Sequence, residues 1–420
     1  MAALRDHVLW SNPDLRRSFL GNLTSNLGSA ISGLAFPLLV LSLGGSAVQA
    51  GLVATVSLVT RLGFRLPAGA LVDRWNRRVV MMATDLVRCA TLASIPLAAL
   101  WSTPQYWQLL LVAVVEGLAS ALFGPANSVL TRDVVSEEQL SQALGADQAM
   151  LNTVSLAGPA LGGVLFAVDR MLPFAVDAVS YAASALLILR ITVRPAAAPG
   201  AAEPTEPAER GATAGLRWLA AHRELLVVLF YAAVVNLVAA AVDVVVILEL
   251  RERGASGTVI GAVIACIGAG GIVGALFAPW LVRRLSIPAM VLAIGVIWTA
   301  ELAVFTVAFQ PVLVGALLAV MMLLSPAAGV AVFQALLGKT PRHLVGRVSA
   351  ATSLLLNGLA ALGPVAAGAA YQAIGGTRTW LVLALLTGAA TFGGWLALTA
   401  TRARAVADSA VLAHAEGDRP

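Results

Sequence analysis

Stretches of about twenty consecutive apolar residues recur along this chain, each long enough as a helix to cross a hydrocarbon core of about 30 Å. Roughly twelve such runs can be placed by hydropathy, near 18–43, 47–72, 79–101, 106–130, 143–168, 172–192, 224–248, 257–281, 287–309, 311–337, 347–373 and 379–401. Lipid offers backbone N–H and C=O groups no partners, so each run must satisfy them internally as a helix. Nothing alternates apolar and polar residues at period two, as the strands of a membrane barrel would. The expected fold is therefore all-α and integral to a membrane. Composition agrees, with 59% hydrophobic and 12% charged residues against about 25% charged in soluble domains.

A net charge of +5 raises the question of nucleic acid, and the positions of the 27 basic residues answer it. Arg170, Arg251, Arg253 and Arg378 fall in segments expected outside, and Arg61, Arg65 and Arg88 fall within apolar runs. All the others lie in the two ends and in the connections expected on the opposite side, including the linker between the sixth and seventh runs. That asymmetry orients a membrane protein with both termini in the cytoplasm and excludes nucleic acid as the partner. Trp75, Trp101, Trp107, Trp218, Trp280 and Trp380 sit near the expected membrane boundaries, which suit an indole. Asn12 or Ser11, before Pro13, is expected to cap a short basic helix at the inner surface, and the first long run is expected to be retained rather than cleaved.

The two cysteines, Cys89 and Cys266, lie in separate apolar runs and predict neither a disulfide nor a metal site. His7, His222, His343 and His414 all fall in tails or loops, without metal-ligand spacing or a nucleophile beside them. No enzyme activity, metal or cofactor is expected.

Residues 193–223, rich in Pro, Ala, Gly and Glu, read as a linker between two equal sets of runs. The boundaries expected are a cytoplasmic segment 1–17, an amino-terminal bundle 18–192, the linker 193–223, a carboxy-terminal bundle 224–402 and a tail 403–420. Fragments of the first half echo in the second: "GPALGG" at 158–163 returns as "GPVAAG" at 363–368, and "LVDR" at 71–74 as "LVRR" at 281–284, with Asp73 replaced by Arg283.

Two motifs carry a resemblance. "GALVDRWNRR", 69–78, matches a G-x-L-x-D-R-x-x-R-R loop through Gly69, Leu71, Asp73, Arg74, Arg77 and Arg78. "GPALGG" supplies Gly158, Pro159, Gly162 and Gly163 in the fifth run. With twelve runs and a central linker, the chain resembles transporters of the major facilitator superfamily, most of all the drug and siderophore exporter branch that includes macrolide efflux and enterobactin exporter proteins. Asn76 departs from the glycine common in that loop. The resemblance implies twelve helices in two pseudo-symmetric six-helix bundles, a monomer in a bacterial inner membrane, and export of a drug, antibiotic, siderophore or metabolite against protons. Import, lipid movement and a non-transporting scaffold or sensor are the alternatives. The Ala- and Arg-rich composition, with Lys339 the only lysine, fits a bacterial source.

The resemblance also implies that the Asp73 loop packs against the start of the eleventh span when the protein opens outward. Asp73 is then expected to cap the helix beginning near Arg347 and Ser349, where exposed N–H groups favour an anion. Gly158 and Gly162, four apart, present one helix face to a close neighbour. Ionisable groups within the runs are costly and so are functional candidates. Glu116, deep in the fourth run, is the expected proton carrier, with Arg61 of the second run as its partner and Asp243 of the seventh as a further cavity carboxylate. Asp85 and Arg88 are expected to satisfy one another, Asp177 to be structural and Asp147 to begin the fifth helix. Glu301 has no assigned role. Asn22, Asn26, Asn236, Gln334 and Asn357 are the candidate substrate contacts, on the helices that the resemblance places around a central cavity.

Overall fold

The computed structural model describes residues 12–192, 214–341 and 344–417. The segment 1–11, most of the linker and residues 418–420 lie outside the described residues, as does the side chain of Asp73. Every regular element described is a helix, and twelve of the spans are long and apolar enough to cross a membrane.

The first bundle comprises α1 (Pro13–Ser42), α2 (Ala47–Arg74), α3 (Arg77–Ala99), α4 (Tyr106–Val134), α5 (Glu137–Val168) and α6 (Leu172–Leu189). Asn12 opens α1 by accepting hydrogen bonds from the backbone of Asp14 and Leu15, both at 3.1 Å, ahead of Pro13. The cap therefore starts the first span itself, and among the described residues the basic turn at Arg16 and Arg17 is continuous with that span. Ser46 and Gln49 form a reciprocal capping box on α2. Asn76 caps α3 by accepting from Arg78 N at 3.1 Å, which accounts for an amide where relatives of the motif carry glycine. Arg78 in turn donates to the carbonyls of Ile188 and Leu189 and ties the end of α6 to the start of α3.

A short helix, α7 (Ala214–Ala221), precedes the second bundle. That bundle holds α8 (Arg223–Glu252), α9 (Gly257–Arg284), α10 (Ile287–Val307), the pair α11 (Pro311–Met321) and α12 (Ser325–Lys339), the pair α13 (Val345–Ala360) and α14 (Gly363–Ile374), and α15 (Gly376–Gly417). The tenth and eleventh spans are thus each broken, where continuous helices were expected. Pro326 and Pro364 take the first turn of the new segment, where a missing N–H costs nothing. Pro159 instead sits inside an unbroken α5, so the two "GP" motifs are alike in sequence and different in structure. Helix α5 begins at Glu137, which leaves Asp147 well inside it rather than at its start, and α15 continues through most of the expected tail. Trp380 is also unlike the boundary indole expected. It is buried among the rings of Phe305 and Phe309, with centroids 5.0 and 5.6 Å away.

The first span packs on the sixth, the second on the fourth and the third on the sixth; the seventh repeats this on the twelfth, the eighth on the tenth and the ninth on the twelfth. That repetition is the pseudo-symmetry of two bundles. They meet along α5 with α9 and along α2 with α14, and the close approaches lie mainly in the half remote from the linker. A Cβ on Gly163 would strike the Gly257 carbonyl, one on Gly51 the Pro364 carbonyl and one on Gly368 the Ala47 carbonyl. Thr55 seals the α2 crossing by accepting a hydrogen bond from Val365 N at 3.1 Å. Gly158 and Gly162 face the other way, against Ala30 and Ile31 of α1, so their close packing is internal to the first bundle. Around Gly69, Gly145 and Gly338, toward the linker end, an added Cβ would meet nothing within 4 Å.

Leucine at these two positions should therefore have different effects. Gly158→Leu overpacks one bundle and should lower its stability by about 1–3 kcal/mol, read as a lower melting temperature in detergent. Gly163→Leu should leave the bundles intact and part them, so that the thiol of Thr55→Cys reacts faster with a water-soluble maleimide. Equal effects on both readouts from both variants would contradict the division.

Candidate functional site

A cavity of about 390 Å³ lies between the bundles, walled by α1, α2 and α4 on one side and by α8 and α14 on the other. Glu116, Arg61 and Asp243 all line it. Asp243 is the exposed position in a stretch, 241–250, that is otherwise buried, so its carboxylate faces open space. Arg61 is likewise exposed, on the opposite wall.

Behind this wall the first bundle buries a connected set of polar side chains. Arg88 on α3, 6% exposed at its side chain, places Nη1 3.8 Å from Asp85 Oδ1 and Nε 3.9 Å from Glu116 Oε2. It donates from Nη2 to Ser120 Oγ at 2.9 Å, and its guanidinium lies 5.3 and 5.1 Å from the ring centroids of Phe123 and Tyr181. The hydroxyl of Tyr181 donates to Glu116 Oε2 at 3.1 Å and stands 2.7 Å from Ser29 Oγ. Asp177, one turn before Tyr181 on α6, accepts from Ser32 Oγ at 2.5 Å and from Ser180 Oγ at 3.2 Å. Ser29, Ser32, Ser120 and Glu116 also line the cavity, so the network has a wet edge and a dry interior. Oε1 of Glu116 has no hydrogen-bond partner among the described residues.

The expected pairing of Arg61 with Glu116 is corrected: the arginine beside Glu116 is Arg88. Helices α2 and α4 do approach closely, since a Cβ on Gly117 would meet the backbone of Ser57 and Arg61, but the Arg61 side chain turns to the cavity. Arg88 was expected to serve Asp85 alone and instead serves both carboxylates. Tyr181 and Ser29 were missed because neither carries a charge. The spacing of Asp177 and Tyr181, i and i+4 on one face of α6, was the available signal.

The amides lie elsewhere. Asn22 is 3% exposed and donates to Asn127 Oδ1 on α4 at 2.9 Å, and Asn26 donates back to the Asn22 carbonyl at 2.7 Å. Both are helix–helix or backbone partners rather than cavity contacts. Asn357 donates to the Ser353 carbonyl at 2.9 Å, Gln334 is exposed on α12, and Asn236 lines a separate cavity inside the second bundle. Of the loop motif, Gly69, Arg74, Arg77 and Arg78 sit at the linker end, away from the bundle contacts.

A family model, Major Facilitator Superfamily, matches residues 18–364. The chain belongs to that superfamily. It is a multi-pass bacterial membrane protein that transports small molecules and not an enzyme. Among curated relatives, the multidrug efflux pump Tap of Mycolicibacterium fortuitum is 30% identical over 382 residues, covering 86% of this chain and 90% of that protein. Tap of Mycobacterium tuberculosis (strain ATCC 25618 / H37Rv) is 29% identical over 375 residues, covering 85% and 87%. Macrolide efflux protein A of Streptococcus pyogenes is 26% identical over 148 residues, 35% of this chain and 36% of that one. These relatives fit the drug-exporter branch. Among solved structures, a bacterial homologue of the human lysosomal transporter Spinster, inward-facing and unoccupied, superposes with a TM-score of 0.74 at 14% identity, covering 91% of this chain and 96% of that one.

Removing the guanidinium should cost more than removing its partners with it. Arg88→Met should destabilise the protein by about 3–5 kcal/mol by leaving buried carboxylates unpaired. Arg88→Met with Glu116→Gln should recover part of that loss in thermal melts, and no recovery would mean that the two do not interact.

Proposed function

We propose that this chain is a proton-coupled exporter of an amphipathic organic molecule, such as a drug, antibiotic, siderophore or metabolite, working by alternating access of its two bundles. The observation that carries the reading is the position of Glu116, which borders the central cavity on one side and the buried Arg88–Tyr181 pair on the other. A carboxyl so placed exchanges a proton with the cavity water, and the change is felt inside the bundle. When Glu116 is ionised it draws Arg88 and accepts from Tyr181. When it is protonated Arg88 turns to Asp85 and Ser120, and Tyr181 is free to donate to Ser29. Arg61 and Asp243 face one another from different bundles across the same space, so their attraction depends on which way the cleft is open.

The basic loops put both termini in the cytoplasm of a bacterial inner membrane. With that orientation the glycine crossings lie in the periplasmic half, which supports reading the conformation as inward-open. The names of the relatives, multidrug and macrolide efflux, support export over import. In the outward-open state the Asp73 loop meets the amino-terminal end of α13, near Arg347 and Ser349. An anion there is worth about 1–2 kcal/mol in a partly buried setting, enough to shift a two-state balance about 5- to 30-fold.

Everted vesicles energised to an acid interior test the coupling. Addition of a transported compound should release protons, and Glu116→Gln should abolish that release while the protein still binds the compound. Proton release retained in Glu116→Gln would remove Glu116 from the coupling step. Asp73→Asn should slow transport and leave the linker-side opening accessible to protease for more of the time, and no change in either would remove the latch.

A further inference from the structure

The second bundle contains its own cavity, of about 340 Å³, off the axis between α8, α10, α12 and α13. Its polar edge is formed by Asn236, Ser325, Ser349, Thr352, Ser353 and Tyr231. The remaining lining is aliphatic and aromatic, and no charged side chain takes part. Thr352 is 9% exposed, and its Oγ has no hydrogen-bond partner, not even the preceding turn of its own helix. A buried hydroxyl left in this way costs about 1–3 kcal/mol and is offset when a ligand supplies the missing partner.

A groove of about 530 Å³ lies on the other side of Tyr231, formed by α8 and α15 alone and lined by Leu226, Phe230, Gly393, Gly394 and Ala397 among others. Two helices cannot enclose a space, and Phe230 at its edge is 59% exposed, so the groove opens outward onto the acyl chains. Tyr231 belongs to both spaces. Its ring rests against Gly394 of α15, and its hydroxyl lies over Gly295 of α10 beside Thr391, in room that a Cβ at 295 would fill. On the side of α15, one aromatic side chain, hinged at χ1, separates the groove from the cavity, whose α12 rim at Gly329 and Phe333 is exposed.

We propose that this cavity is a second binding site, for an uncharged amphipathic molecule bearing a hydrogen-bonding group, which enters from the cytoplasmic leaflet through the α8–α15 groove past Tyr231. An uncharged ligand is required because no counter-charge is present, and partition into the leaflet supplies it at high local concentration. The site rests on the transporter assignment but not on the coupling role of Glu116.

The test uses the full chain with Cys89 and Cys266 replaced by Ala, reconstituted in liposomes and carrying Ser353→Cys. Two reagents compete for that thiol: the lipid-soluble N-dodecylmaleimide and a membrane-impermeant sulfonated maleimide. N-dodecylmaleimide should label at least tenfold faster, N-phenyl-1-naphthylamine, a neutral amine, should protect the thiol, and Tyr231→Ala should speed labelling. Gly393→Leu fills the groove from a position where a Cβ meets nothing within 4 Å, and it should slow the lipid-soluble reagent severalfold without affecting the sulfonated one. Ala397→Leu provides the same block should Gly393→Leu fail to insert. Labelling that is insensitive to both blocks, or that comes only from water, would overturn the lateral route. Failure of N-phenyl-1-naphthylamine to protect would overturn the binding site. No proton gradient is imposed, so these outcomes are independent of coupling through Glu116.

Discussion

A guanidinium inside a bilayer-spanning bundle is tolerated only if its charge and its donors are answered on the spot. Arg88 is answered by Asp85 on its own turn, and by Glu116, the Ser120 hydroxyl and two aromatic faces from two further helices, α4 and α6. Those contacts fix how α3, α4 and α6 sit against one another. They also leave three carboxyls, Asp85, Glu116 and Asp177, in one region with a single arginine. Of the three, Glu116 is the one that lines the cavity, which is why the proposed coupling places the exchanged proton there. Structure and chemistry therefore meet at one side chain.

The cavity itself depends on how the bundles touch. Backbone contact at Gly163 with Gly257, and at Gly51 with Pro364, lets two helix pairs cross without side chains between them. Such a crossing gains little hydrophobic free energy in lipid, since acyl chains are as apolar as leucine, and it closes one end of the cleft without welding it. Interiors repack between discrete arrangements rather than deforming continuously, so crossings of small residues suit a protein that rocks about a central space. The second bundle uses small residues for another purpose. Gly295 leaves room for the Tyr231 hydroxyl inside the bundle, and Gly393 and Gly394 open the groove beside its ring on the face turned to lipid.

Much of this was legible in the residues. Apolar length gave the spans, since lipid permits only helices, and the cap at Asn12 marks a start that the structure keeps. Glu116, Arg61 and Asp243 could be singled out because a charge in an apolar run needs a reason, and all three border one cavity. The pairing was not legible. Choosing Arg88 over Arg61 for Glu116 depends on the rotation of α2 about its own axis, which a weakly amphipathic helix does not reveal. The amides were misplaced for the same reason, since Asn22 can turn to α4 or to the cleft without altering the pattern. Proline was ambiguous as well: Pro159 and Pro364 share a motif, and only the packing around each decides whether the helix continues or breaks.

Infrared difference spectroscopy on the reconstituted protein, stepped through pH in water and in deuterium oxide, addresses the central claim directly. The account predicts a protonated-carboxyl C=O band that shifts on deuteration, titrates with the bathing solution and disappears in Glu116→Gln. A band unchanged by that substitution, or a Glu116 that never takes up a proton across the titration, would contradict it.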